Sequence, residues 1–259
     1  VETVDDEHGA RHRAGSMIER PIVMNANASA STELCQSFIS SQLQGAQKPG
    51  VLVEKNARRA VTLSRQAGCG AVIVAEKLAH YLHHHSSGDA CPWTVFDRNL
   101  IDKVLEDHNL PTRLAKFLPE DRVSQIDDIL ADVFAVHPPA QEIIEQTAET
   151  ILKLAGLGNV ILVGRGATMI TARLPHVLHV RLVAPLDKRV EHAHRFYNLT
   201  VNEAYKFCLN QDRARERYLK RYFSANINDP LLYHLVVNTH LVGYDAAAKL
   251  IGDAVLNLN

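Results

Sequence analysis

The sequence predicts an α/β fold: one five-stranded parallel sheet with helices on both faces. Three observations lead there. From Ala60 onward, short β-branched runs alternate with longer segments of helical period. Such alternation favours parallel strands joined by crossover helices. Glycines and arginines also gather at the carboxyl ends of those runs, the edge where sheets of this kind bind ligands.

Each element has its own signal. Residues 60–64 (AVTLS) read as the first strand, followed by a polar, glycine-containing turn. Val74, Ala75, Leu78, Ala79 and Leu82 then fall on one helical face. Residues 93–96 (WTVF) make a second strand, and Asp97 can cap a helix over 99–108. Two helices are expected within 123–155, separated by His137-Pro138-Pro139. Residues 159–163 form a buried strand that Gly164-Arg165-Gly166 breaks, and 177–184 a fourth strand ended by Pro185. Charged helices follow over 186–197 and 201–223, then a fifth strand at 235–238 and an amphipathic helix at 244–256. Residues 1–57 differ in character, with a polar run at 26–31 and Lys48-Pro49-Gly50. They read as a loosely ordered extension preceding a domain over 58–259.

Composition narrows the function classes. The 259 residues carry 28 Lys+Arg against 29 Asp+Glu, a net charge of −1. That excludes a globally basic nucleic-acid coat, so nucleic acid is not an expected partner. Hydrophobic residues make up 46% and charged residues 22%, which is globular rather than disordered. No apolar run is long enough to span a bilayer, and the acidic opening (Glu2, Asp5, Asp6, Glu7) does not resemble a secretory signal. Cys35, Cys69, Cys91 and Cys208 form no CxxC pair. They read as reduced thiols of a cytoplasmic protein.

Three stretches could carry chemistry. The loop from Ser64 to Ala71 (SRQAGCGA) joins the first strand to the first helix and can turn backbone N–H groups toward phosphate. It can equally be a tight turn, because Ala71 and Val72 stand where a GxxxxGK[ST] loop has its lysine and hydroxyl residue. Arg165, between Gly164 and Gly166, is either a phosphate or carboxylate fork or an exposed loop arginine. Arg213, Arg217 and Arg221 recur every four residues with Arg215 and Lys220 beside them. On spacing alone, a solvated helix with ion pairs is the better reading, and a cationic lid the alternative. His83-His84-His85 and the His192/His194 pair have no carboxylate or cysteine at ligand-like spacing, so no metal is assigned. Cys69 reads as a bystander thiol rather than a nucleophile.

Taken together, several stretches resemble the cytidylate kinase-like family of P-loop nucleoside monophosphate kinases. They are 60–82 (AVTLSRQAGCGAVIVAEKLAHYL), 96–101 (FDRNLI), 161–167 (ILVGRGA), 179–185 (HVRLVAP), 212–218 (DRARERY) and 229–239 (DPLLYHLVVNT). The resemblance covers about residues 60–256 and implies an arginine-rich helical lid. It implies ATP with Mg²⁺ as donor, and CMP or dCMP as the first guess for acceptor. By position, Ser64, Arg65, Gly68, Cys69, Gly70 and Ala71 would cradle ATP phosphates. Asp97, Arg98 and Arg165 would line the acceptor site. Arg165, Arg189, Arg213 and Arg217 would act on the transferring phosphoryl group. The loop departs from the family's SRQ-x-GSGG-type pattern in ending on Ala71 and Val72, and Arg65 is the candidate to replace the missing charge. Two other readings stay open: a catalytically degenerate relative that binds a nucleotide or phosphorylated ligand for regulation, and an interaction module that recruits a partner through residues 1–57. The oligomeric state is open.

Overall fold

The computed structural model describes residues 58–86, 92–97, 118, 120–136 and 142–258. The extension over 1–57, the helix expected over 99–108, and Arg98 lie outside the described residues.

Five strands form the sheet: β1 (Ala60–Arg65), β2 (Thr94–Phe96), β3 (Val160–Val163), β4 (Val177–Val183) and β5 (Leu235–Asn238). All neighbours pair in parallel, in the order β2-β3-β1-β4-β5. β1 is therefore central, with Leu63 opposite both Val163 and Val180. The helices are α1 (Ala71–His85), α2 (Glu120–Val136), α3 (Glu142–Leu157), α4 (Ala167–Ile170), α5 (Leu186–Phe196), α6 (Val201–Phe223), α7 (Thr239–Val242) and α8 (Tyr244–Leu256). All five expected strands are present, as are the helices expected within 123–155 and over 186–197, 201–223 and 244–256.

Strand alternation divides the core in two. Val61, Leu63, Ile161, Val163, Val180 and Leu182 point to one face, where Val74, Leu78 and Leu82 of α1 and Ile251 and Val255 of α8 cover them. Each such fully buried side chain contributes about 1.5–3 kcal/mol. On the opposite face Ala60, Val160, Leu162 and Phe96 pack under Ile151, Leu152 and Ala155 of α3 and Ile126 and Ile129 of α2.

The second face does not remain apolar. Toward β4 its inward residues are Thr62, Ser64, His179 and Arg181, beneath the segment joining α6 to β5. Thr62 Oγ1 lies 2.9 Å from His179 Nδ1 and 3.1 Å from Thr168 Oγ1. The His179 amide donates to His234 Nδ1 (2.9 Å), and the His234 amide donates back to the His179 carbonyl. Arg181 donates to Ser64 Oγ (2.9 Å) and Asn228 Oδ1 (3.0 Å), and the Tyr233 hydroxyl donates to the Ile227 carbonyl (2.9 Å). Most buried polar groups in folded proteins are paired in this way. This column leads from the sheet interior to the carboxyl edge.

Candidate functional site

At the carboxyl end of β1 the chain turns through Gln66 to Gly70 into α1. Gly70, the N-cap, has φ +76° and no side-chain capping bond. A Cβ there would overlap the Tyr244 ring, so glycine is required by both backbone and neighbour. Gly70 offers no side chain to the first-turn amides of this 15-residue helix, which open at the strand edge; the Ala71 amide meets the Cys69 sulfur, and the end of the helix favours an anion. Thr239 Oγ1 fixes the loop from the other side by donating to the Cys69 carbonyl (2.9 Å).

Ala67 is clamped at both of its peptide groups. Its N–H donates to Asp212 Oδ1 (2.7 Å), and its carbonyl accepts from Arg189 Nη1 (3.0 Å). Arg189 also donates to Asp212 Oδ2 (2.7 Å) and to the Ala184 carbonyl (2.9 Å). This buried pair joins α5 and α6 to the loop. The resemblance places Arg189 at the transferring phosphoryl group; in the fold its guanidinium also holds the loop backbone through the Ala67 carbonyl and Asp212.

Arg65 crosses the edge toward β3. A Cβ on Gly164 would overlap its guanidinium, so glycine is needed there for close approach. Burial, and next the Arg215 charge, push Arg65 down to about 10. Arg215 Nη1 lies 3.4 Å from the Arg65 carbonyl and 3.4 Å from Asp212 Oδ1. A cleft of about 20 Å³, room for about one water, is lined here by Arg65, Arg181, Arg215, Asp212, Glu216 and Asn228.

Cys69 lies in the midst of these cations. Burial raises its thiol to about 11, against the lowering effects of Arg215, Arg65 and Arg189. The thiol is therefore protonated at neutral pH, which agrees with a bystander.

Arg165 follows β3 at φ +54°, between Gly164 and Gly166, both also at positive φ. A non-glycine residue in that region is uncommon and is held by its surroundings. Here the clamps are the Gly164 amide on the Leu63 carbonyl (3.1 Å) and the Ala167 amide on the Gly164 carbonyl (2.9 Å). Tyr218, whose hydroxyl burial pushes upward, lies within reach of the Arg165 charge. Asp97 ends β2 on the same edge and acts on Arg65.

Arg213, Arg217 and Arg221, which recur every four residues, line the exposed side of α6. Ala204, Cys208 and Leu219 are buried, and Asp212 and Arg215 share their side of the helix. Arg213 and Arg217 are exposed. The structure thus brings Ser64, Arg65, Gly68, Cys69, Gly70, Ala71, Asp97 and Arg165 to one edge and leaves Arg213 and Arg217 at its margin. Sequence reasoning missed Arg181, Asp212, Tyr244 and the inward role of Arg215. A signal existed for Arg181, a charge inside the apolar run HVRLV.

No helix among the described residues is long and apolar enough to cross a membrane, and no three His, Cys, Asp or Glu side chains there converge as a metal site.

The chain is 22% identical over 157 residues to the cytidylate kinase of Methanocaldococcus jannaschii, covering 60% of this chain and 88% of that one. It is 30% identical over 106 residues to the uronate isomerase of Corynebacterium glutamicum. That match takes in 41% of this chain and spans only 20% of the isomerase. A crystal structure of an uncharacterized protein from Eubacterium ventriosum superposes with a TM-score of 0.59 at 20% identity. It covers 76% of this chain and 98% of that chain, and so shares the fold. The description of the cytidylate kinase-like family matches residues 60–241, a span containing all five strands, the Gly68–Gly70 loop, Arg165 and the whole of α6. By that match the chain belongs to the cytidylate kinase-like family.

Proposed function

We propose that the protein transfers the γ-phosphoryl group of ATP to a nucleoside monophosphate, with CMP or dCMP as first acceptor. The observation that carries the reading is the N-terminus of α1, opened by a glycine cap that brings no side chain, beside the guanidiniums of Arg65 and Arg215. Phosphoryl transfer requires little covalent participation from the protein; it requires in-line positioning and neutralised charge. An oxygen of the acceptor phosphate bonds to the γ-phosphorus, the bond to the β–γ bridging oxygen breaks, and ADP leaves. The amides after Gly70 would hold the donor phosphates, and Arg65 and Arg215 would supply the positive charge that Ala71 and Val72 lack. Arg165, Asp97 and Arg98 would receive the acceptor. Arg213 and Arg217, exposed without ligand, would swing in over the phosphates, so that water is shed only on closure.

Mg²⁺ fits this chain as an ion that arrives with the nucleotide. Asp212 is engaged with Arg189, Arg215 and the Ala67 amide, and the loop has no hydroxyl at residues 71 and 72. Asp97 is the carboxylate at the end of β2, and Mg²⁺ characteristically keeps several waters and binds through substrate phosphates. When bound, the ion supplies charge neutralisation across the phosphates.

Ala71 and Val72 also favour one alternative, a degenerate relative that binds a nucleotide or phosphorylated ligand without turnover. The deciding experiment incubates the full chain with ATP, Mg²⁺ and a panel of nucleoside monophosphates and measures diphosphate formation. CDP or dCDP as the main product supports the kinase. Ligand-induced thermal stabilisation with no product for any acceptor supports the binding protein.

A further inference from the structure

The far end of α1, remote from the glycine loop, carries a second concentration of chemistry. Four histidines lie there: His80, His83, His84 and His85. Their environments differ. His85 stacks on Tyr81 with ring centroids 4.0 Å apart and places Nδ1 2.7 Å from the Tyr81 carbonyl. His83 has its ring 5.7 Å from that of His84. His80 and His84 are one helical turn apart, and their Nε2 atoms come within 3.2 Å of each other. Both are exposed.

We propose that His80 and His84 chelate one divalent first-row transition ion of the Zn²⁺ or Ni²⁺ type. Two imidazole nitrogens at Zn–N distances of about 2.0–2.1 Å in a tetrahedral sphere stand about 3.3 Å apart. The pair already has nearly that separation, and with ring centroids 4.4 Å apart and planes at 62° the exposed rings need only turn about their side-chain torsions to aim both lone pairs at one ion. The same separation suits an N–H···N contact between the rings, but on an exposed surface water competes for that bond, whereas a metal ion uses both lone pairs at once.

The surroundings favour a cation. The site is in the last turns of a 15-residue helix, where the backbone carbonyls carry partial negative charge. Glu76 precedes His80 by one turn and is exposed. Lys77 is drawn across to Asp245 on α8, 2.5 Å away. Two protein nitrogens leave the remaining positions to water. Imidazole ligands suit Zn²⁺ and Ni²⁺, while Mg²⁺ demands oxygen, so the site is distinct from any nucleotide-borne Mg²⁺. It stands about 20 Å along α1 from the loop, so the proposal is independent of the kinase reading.

The test titrates Zn²⁺ into the full chain prepared without an affinity tag, in excess Mg²⁺, by calorimetry, and follows the histidine ring ¹⁵N signals. One saturable site is expected, with the ring signals of His80 and His84 moving together. Loss of an outer-shell partner weakens metal sites by about 10–100-fold, and loss of a ligand costs no less. His80→Ala and His84→Ala should each weaken Zn²⁺ binding by at least about tenfold, while His83→Ala and His85→Ala stay within about threefold. Absence of saturable binding overturns the proposal. So do undiminished affinity in the His80→Ala/His84→Ala double variant and an equal loss in His83→Ala or His85→Ala.

Discussion

Arg213 and Arg215 are two residues apart on α6 and lead opposite lives. Arg215 is turned inward, against the Arg65 carbonyl and Asp212, and burial lowers its pKa. Arg213, like Arg217, faces solvent. The inner cations Arg65, Arg181, Arg189 and Arg215 are fixed by strands and loop before any ligand arrives. The outer ones have no such constraint. Charge held in place costs no reorganisation when a phosphate binds, whereas exposed charge acts only once it has closed. The two sets should therefore fail in different ways when removed.

The largest difference lies in stability. Arg189→Ala takes from the Asp212 carboxylate its shortest ion pair, leaving it the Ala67 amide and Arg215 at 3.4 Å, and leaves the Ala67 and Ala184 carbonyls without their donor. It should lower the unfolding free energy by about 3–5 kcal/mol, measured by urea denaturation. A loss under about 1 kcal/mol would mean that the loop is held by something other than this pair.

The polar column gives the next effect, and it depends on pH. Burial, and secondarily His234, push His179 down to about 4. The unfolded imidazole protonates near 6.5, so the unfolded state takes up a proton that the native state refuses. Stability from this residue is complete above pH 6.5 and declines as pH falls from 6.5 to 4, by on the order of 3 kcal/mol. His179→Gln should flatten that decline. An unchanged slope across this window would mean that His179 is not the group responsible for it.

Gly70→Ala should cost about 1–3 kcal/mol, through a left-handed backbone and overlap with Tyr244. It should also weaken ATP binding; Gly70→Ala with Tyr244→Ala separates collision from backbone strain. The smallest stability effect belongs to the outer arginines. Arg213→Ala and Arg217→Ala should each stay within about 0.5 kcal/mol in unfolding. If these residues close over the transferring group, turnover should fall while ATP affinity holds. Unchanged turnover in both would return them to a solvated face.

The same contrast marks how far the sequence could be read. β1, β3 and β4 were legible because strands buried on both faces are written as β-branched runs, and α1 because Val74, Ala75, Leu78 and Leu82 repeat at helical period. The edge was legible too, since glycine or arginine follows the first three runs. The inward face of α6 was not. It is built from Ala204, Cys208, Asp212, Arg215 and Leu219, a mixture with too little apolar periodicity to show which side is buried. Its orientation is decided by contacts with residues 65, 67 and 189, far away in sequence. The four-residue helices α4 and α7 are too short for any period to appear.

Arg65 carries two opposing effects that a single substitution separates. Its buried charge, crowded by Arg215, is a cost to the unliganded fold, while it supplies the cation that Ala71 and Val72 do not. In Arg65→Met, stability of the free protein should be unchanged or raised, as expected when a buried charge gives way to an apolar side chain. ATP affinity in Mg²⁺, measured by calorimetry on the same sample, should fall by about tenfold or more, the loss of one charge-assisted contact. A stable Arg65→Met protein that binds ATP as tightly as the original would contradict the claim that buried arginine replaces the missing lysine of the loop.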